Sequence, residues 1–241
     1  MTTSGTTTFN PTRDQIVYGA LRLVGAYTAN GNTPRPEQVT DAVEALDMML
    51  KSWQVDGLLH LKTFIYVALA AAQASYTIGP DSTDTVTTDT AGAVSFKKRP
   101  TSISSPRRRT ISTGNEVPLD DPLSRSDYAV LPNKATAGTP VKVYYDPQIS
   151  NGTLYVWPVP STAVDQVVLT VDRTLEDAGD SDKTFDVPPE WTEAIKWNLA
   201  ARLLPEYPGA DAERVEKYAL LFREKMVSFN SESGPTFFQP R

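Results

Sequence analysis

The sequence predicts an α+β fold: an antiparallel helical bundle made of an N-terminal and a C-terminal helix pair, an inserted small antiparallel β domain, and a flexible C-terminal tail. Three observations predict it. Apolar residues recur at helical spacing at both ends of the chain, the period falls to two between about residues 62 and 185, and turn residues multiply in that middle stretch. The expected boundaries are 1–9 for a flexible N-terminus, 10–61 and 186–230 for the bundle, 62–185 for the β domain with long polar loops, and 231–241 for the tail.

The elements follow in order. Asn10 can cap a helix whose first position is Pro11, and Ile16, Ala20, Leu23, Val24 and Tyr27 then share a face until Asn30-Gly31. A second helix begins near Pro36, with Glu37 and Asp41 favourable to its dipole. It places Val39, Ala42, Val43, Leu46, Met49, Leu50 and Trp53 on one face and stops at Asp56-Gly57. Short strands are expected at 64–67, 75–78, 141–145, 153–157 and 166–171, each bounded by Gly, Pro or Asn-Gly turns. The stretches 80–93 and 97–139 are polar and Pro/Ser-rich and read as loops. Helical spacing returns after Pro188-Pro189-Glu190 through Trp191, Ala194, Ile195, Leu199 and Leu203, until Pro205 and Pro208-Gly209. A last helix from about Asp211 carries Val215, Tyr218, Ala219, Phe222, Met226 and Phe229. Amphipathic pairs hide their apolar faces by packing on each other, hence the bundle.

Composition narrows the function. Forty per cent of the 241 residues are apolar and none is cysteine, which excludes disulfides, thiolate zinc sites and a cysteine nucleophile. The longest apolar run, residues 64–72, is about half of what a membrane helix needs, and the first residues are neither basic nor apolar, so no spanning helix or signal peptide is expected. The net charge of −6 argues against a surface that coats DNA. Yet Lys97, Lys98, Arg99, Arg107, Arg108 and Arg109 lie within thirteen positions that hold no acid, leaving 17 of the 23 basic residues against 29 acidic ones elsewhere. This reads as one basic loop on an acidic body. Six cations in a Pro/Ser-rich segment could touch nucleic-acid phosphate, an acidic neighbouring protein or only water. Phe237 and Phe238, in a tail with no place in its own bundle, read as residues awaiting a partner.

Candidate chemistry is weak elsewhere. His60, the one histidine, has no nucleophile turn beside it. The acidic run Glu176, Asp177, Asp180, Asp182 and Asp186 holds Phe185 and Trp191 where a calcium loop needs glycine and glutamate. Glu190 and Glu193 could be drawn as a hydrolytic pair, but near a helix start they read as charges favoured by the dipole. Tyr155 and Trp157, on one face of a strand, could serve a sugar. No cofactor and no metal are expected.

The order of pieces carries a resemblance. Leading helices, a β insertion containing GTPVKVYYDPQISNGTLYVWPVPS, and the return through FDVPPEWTEAIKWNLAARLLPEY resemble the head-to-tail adaptor family of short-tailed bacteriophages, the packaged-DNA stabilisation proteins. The motif positions are Tyr144, Asp146, Gly152, Trp157, Pro158, Pro188 and Trp191, together with neighbours such as Gly138, Pro140 and Pro160. The resemblance implies a structural protein of the virion neck and not an enzyme. It implies a homo-oligomeric ring of about twelve copies below the portal protein, continuing the channel for double-stranded DNA, helping to retain it, and supporting the tail nozzle or hub. DNA would pass without sequence-specific binding, and no membrane is involved. On this reading Phe237, Phe238, Gln239, Pro240 and Arg241 meet the portal, and the basic loop meets a subunit, the nozzle or DNA. A virion-borne cell-wall hydrolase using Glu190 or Glu193 and a carbohydrate-binding module using Trp157 are the alternatives.

Overall fold

The computed structural model describes residues 9–28, 33–57, 61–177, 179, 184, 186–207 and 211–229. It corrects the expected fold class. The chain is a mixed α and β protein whose described residues form ten strands in three sheets, the largest an antiparallel sheet of five strands, and not a helical bundle with a small insert. Two compact units divide it, one from residues 1–59 and 175–241 and one from residues 60–174.

In the first unit, α1 (Arg13–Leu23) starts two residues later than Asn10-Pro11 suggested, because Thr12 and Gln15 form a capping box: the Thr12 side chain accepts from Gln15 N, and the Gln15 side chain accepts from Thr12 N at 3.0 Å. It also ends early. Gly25, at φ 71°, takes the left-handed position after the helix, with Ala26 N donating to Leu21 O and Gly25 N to Arg22 O, so orphan carbonyls are satisfied there and not at Asn30-Gly31, which lies outside the described residues. The second helix, α2 (Pro36–Val55), has the expected limits, with Gly57 again left-handed.

A short 3₁₀ turn at Pro189–Trp191 leads into α4 (Thr192–Leu203), while α3 (Arg125–Val130) belongs to the other unit. Asp211 accepts from Arg214 N ahead of α5 (Ala212–Phe229). Ala194, Ile195, Trp197, Leu199, Ala200 and Leu203 are buried on more than one side of α4, so it packs against α1, α2 and α5 together. The helices are therefore arranged around α4 and not as two facing pairs. Between α4 and α5, Asn198 Nδ2 donates to Ala219 O at 3.0 Å, and the Trp197 ring lies 4.9 Å from that of Tyr218.

The second unit holds the ten strands of the described residues: β1 (Leu61–Ala68), β2 (Ser75–Ile78), β3 (Val86–Thr87), β4 (Pro100–Thr110), β5 (Glu116–Pro118), β6 (Ala137–Gly138), β7 (Lys142–Asp146), β8 (Gly152–Trp157), β9 (Val159–Pro160) and β10 (Asp165–Arg173), with α3 (Arg125–Val130) after β5. One sheet runs β3-β1-β10-β4-β5, a second β2-β8-β7, and β6 pairs in parallel with β9. A single core joins the two larger sheets, with Ile65, Val67, Val167 and Leu169 from one and Tyr76, Ile78, Leu154 and Val156 from the other.

The stretch 97–139, expected as a loop, contains β4, β5, α3 and β6. Strand β4 passes the Pro106 problem through a bulge. Ser105, at φ 47°, and Pro106 together face Leu169, so proline needs no ladder donor there.

The edge strand β2 is closed by side chains. Thr77 N donates to Asp84 Oδ2 at 2.6 Å, Ser82 Oγ donates to Thr77 O, and Gln73 Nε2 donates to Ser75 O at 2.9 Å.

Tyr145 is buried where the sheets meet and donates to Pro100 O at 2.8 Å. Burial lifts its phenol, and that of Tyr76, above the ordinary value of 10.0. A group whose folded-state pKa is raised gives its full stabilisation below the unfolded value and loses it as pH rises, so unfolding should become easier from about pH 10 upward. Tyr145→Phe should flatten that alkaline loss, as read by denaturant melts between about pH 8 and 11.

Candidate assembly surfaces

The six basic residues do not share one loop: Lys97, Lys98 and Arg99 lie in the irregular segment before β4, and the three others on the strand itself. Lys97 Nζ donates to Ser82 O at 2.6 Å, Lys98 and Arg99 are partly buried, and Arg107, Arg108 and Arg109 lie on β4 inside the five-stranded sheet. Strand alternation sends Arg108 to the opposite face from Arg107 and Arg109. Arg108 Nη1 stands 3.4 Å from Asp165 Oδ2, and the same carboxylate accepts from Thr110 Oγ1 at 3.0 Å. Replacing Arg108 with serine should cost about 2 kcal/mol of stability, since it leaves a mostly buried Asp165 short of a partner; a urea melt would read it.

Arg107 and Arg109 sit on the outer face, opposite Val168 and Gln166 of β10. Register places Phe64 and Tyr66 of β1 on that face as well. The Arg107 guanidinium lies 5.2 Å from the centre of the Phe64 ring and 3.3 Å from Glu116, while Arg109 donates to Gln166 Oε1 at 3.0 Å. Phe64 remains 52% exposed, so this face offers a cationic and aromatic strip in which the guanidinium charge is only partly neutralised. The sequence marked the arginines. It did not mark Phe64 and Tyr66 as their neighbours, because that relation is set by strand register.

The motif residues have structural partners. Tyr144 stacks 4.9 Å from Tyr128 of α3, and Tyr155 closes the group at 5.0 Å from Tyr128. Arg125 Nε donates to Tyr144 Oη at 3.2 Å, and its Nη2 donates to both Asp146 oxygens at 3.1 Å. These hydrogen bonds, that to Tyr144 first, raise the guanidinium pKa further. Trp157 Nε1 donates to Asn133 O at 2.9 Å, and a Cβ on Gly138 would come within 3.3 Å of Pro158. Together they fasten the segment around α3 against the three-stranded sheet. Tyr155 thus packs its ring against Tyr128 and Tyr144. Arg125 and Tyr128 were missed by the sequence reading, although Ser124 followed by Asp127 has the spacing of a helix cap, and Ser124 Oγ does accept from Asp127 N.

Pro188 precedes the 3₁₀ turn, and Trp191 is buried at its end. Glu193 accepts from Trp197 Nε1 at 3.4 Å and lies 3.8 Å from Lys196, while Glu190 is an exposed residue of the turn. Among the described residues, no group of three His, Asp or Glu side chains is placed to hold a metal, and no helix is long and apolar enough to cross a membrane. His60, Asp180, Asp182, Phe185, and Phe237, Phe238, Gln239, Pro240 and Arg241 of the tail lie outside the described residues.

A family model described as SU10 adaptor protein matches residues 15–236. No curated protein matches the chain.

Proposed function

The chain belongs to the SU10 adaptor protein family of phage head–tail adaptors, and from that premise we propose that it forms a ring in the virion neck, between the portal and the tail nozzle. Membership makes it a structural component of the virion that meets other virion proteins, in a family that is not an enzyme family. The finer reading is a ring of about twelve copies that continues the DNA channel, helps to retain packaged DNA and carries the nozzle. The observation that supports it is the extent of the match, which runs through both compact units.

The acidic balance of the chain, −6 overall, suits a channel that lets DNA slide. Lys97, Lys98, Arg99, Arg107 and Arg109 are proposed to face a neighbouring subunit or the nozzle, with DNA as the second candidate, while Arg108 serves the fold. Phe237, Phe238, Gln239, Pro240 and Arg241 are proposed to dock on the portal.

The test is light scattering of the purified protein alone and mixed with its portal ring at moderate salt. A large joint complex is expected, and a protein that ignores the portal would overturn the reading. Truncation after Ser233 should weaken portal binding about tenfold, or about 1.4 kcal/mol. An unchanged affinity would remove the tail from the portal contact.

A further inference from the structure

A groove of about 260 Å³ opens where the start of α4 meets the last turns of α5. Trp191, Ala194, Phe222 and Met226 give it apolar walls, and Glu190 and Glu193 give it an acidic rim. Both helices belong to the same compact unit. Lys225 lines the groove as well, its Nζ 5.1 Å from the centre of the Phe222 ring, and Glu193 lies 3.8 Å from Lys196, so the groove carries both signs of charge with two carboxylates to one lysine.

The segment that follows α5 has the matching chemistry. Helix α5 ends at Phe229, three residues past Met226 of the groove wall, and the sequence continues NSESGPTFFQPR. That segment contains two adjacent phenylalanines, and beyond them its ionisable side chain is Arg241. Phe237 lies eight positions past Phe229, a reach of about 26 Å at roughly 3.3 Å per residue, against about 5.4 Å for a helical turn. Gly234-Pro235, midway, is a dipeptide that favours chain reversal.

We infer that this groove is the docking site of the chain's own residues 234–241, with a phenylalanine ring against Trp191 and Met226 and Arg241 against Glu190 and Glu193. The contact holds the tail on its own subunit until a competing surface displaces it. It stands whether or not that competing surface is the portal.

The experiment is NMR of the full chain carrying ¹⁵N-labelled tryptophan, following the Trp191 indole N–H, identified by its disappearance in Trp191→Phe. That group has no hydrogen-bond partner, so its signal reports on the atoms packed around it. Truncation after Ser233 and the Phe237→Ala/Phe238→Ala variant should both shift the signal, and a synthetic peptide of residues 234–241 added to the truncated chain should restore it. Glu190→Lys/Glu193→Lys in the truncated chain should weaken the peptide roughly fivefold, the size expected for reversing two exposed charges. An indole signal identical in full and truncated chains would overturn the inference. So would a shift that grows with protein concentration, which would give the groove to a second copy. Glu190→Lys/Glu193→Lys should leave portal binding intact in the mixing experiment, so failure here and failure of the portal reading are separate results.

Discussion

Replacing Trp191 with alanine should lower stability by about 4 kcal/mol, the usual range for emptying a tryptophan site in a core. Trp191 is 3% exposed at the entrance to α4, in the helical unit, where it closes the turn begun at Pro188. Trp191→Phe should cost far less than its lost volume suggests. The indole Nε1 is buried without a hydrogen-bond partner, a state that costs about 1–3 kcal/mol, and phenylalanine removes that donor with the lost ring. Chemical denaturation of the two variants side by side would measure the difference, and a Phe variant as unstable as the Ala variant would contradict the account.

Replacing Gly152 with alanine should cost about 3 kcal/mol, and it acts in the other unit. A Cβ there would fall 1.9 Å from Tyr145 Oη, 2.3 Å from its Cζ and 2.4 Å from its Cε2. Gly152 pairs with Ile78 at one end of β8, and Tyr145 is held by Pro100 O, so neither the strand nor the ring can step aside without breaking a bond or a ladder pair. Adding Tyr145→Phe should rescue little, because the ring carbons clash as well as the hydroxyl. In a thermal melt the change corresponds to roughly 6–12 °C, at 2–4 °C for each kcal/mol.

The limits of legibility follow from where the information lies. All four long helices and strands β1, β2, β7, β8 and β10 could be read because their apolar residues repeat at the period of the element. Strand β4 could not. Its sequence PTSISSPRRRT has no apolar alternation and carries proline and serine, and it becomes a strand because β10 on one side and β5 on the other supply partners. That error made the β part look like a small insert with a long basic loop, and it hid three arginines inside a ladder. The end of α1 is set locally by the left-handed Gly25, which apolar periodicity running on to Tyr27 conceals. The motif residues were read as a set, but their partners Arg125 and Tyr128 come from a segment with little pattern of its own.

The blocked edge of β2 bears on how copies of such a protein can meet. An exposed strand edge accepts any extended chain, including another copy of itself, and each addition exposes a fresh edge, so growth has no natural end. With Thr77 N, Thr77 O and Ser75 O already engaged by Asp84, Ser82 and Gln73, strand addition at this edge has to displace those bonds first. A contact made at such a border by side chains has shapes that fix an angle between neighbours, and a fixed angle is what allows a series of copies to come back to its beginning and stop.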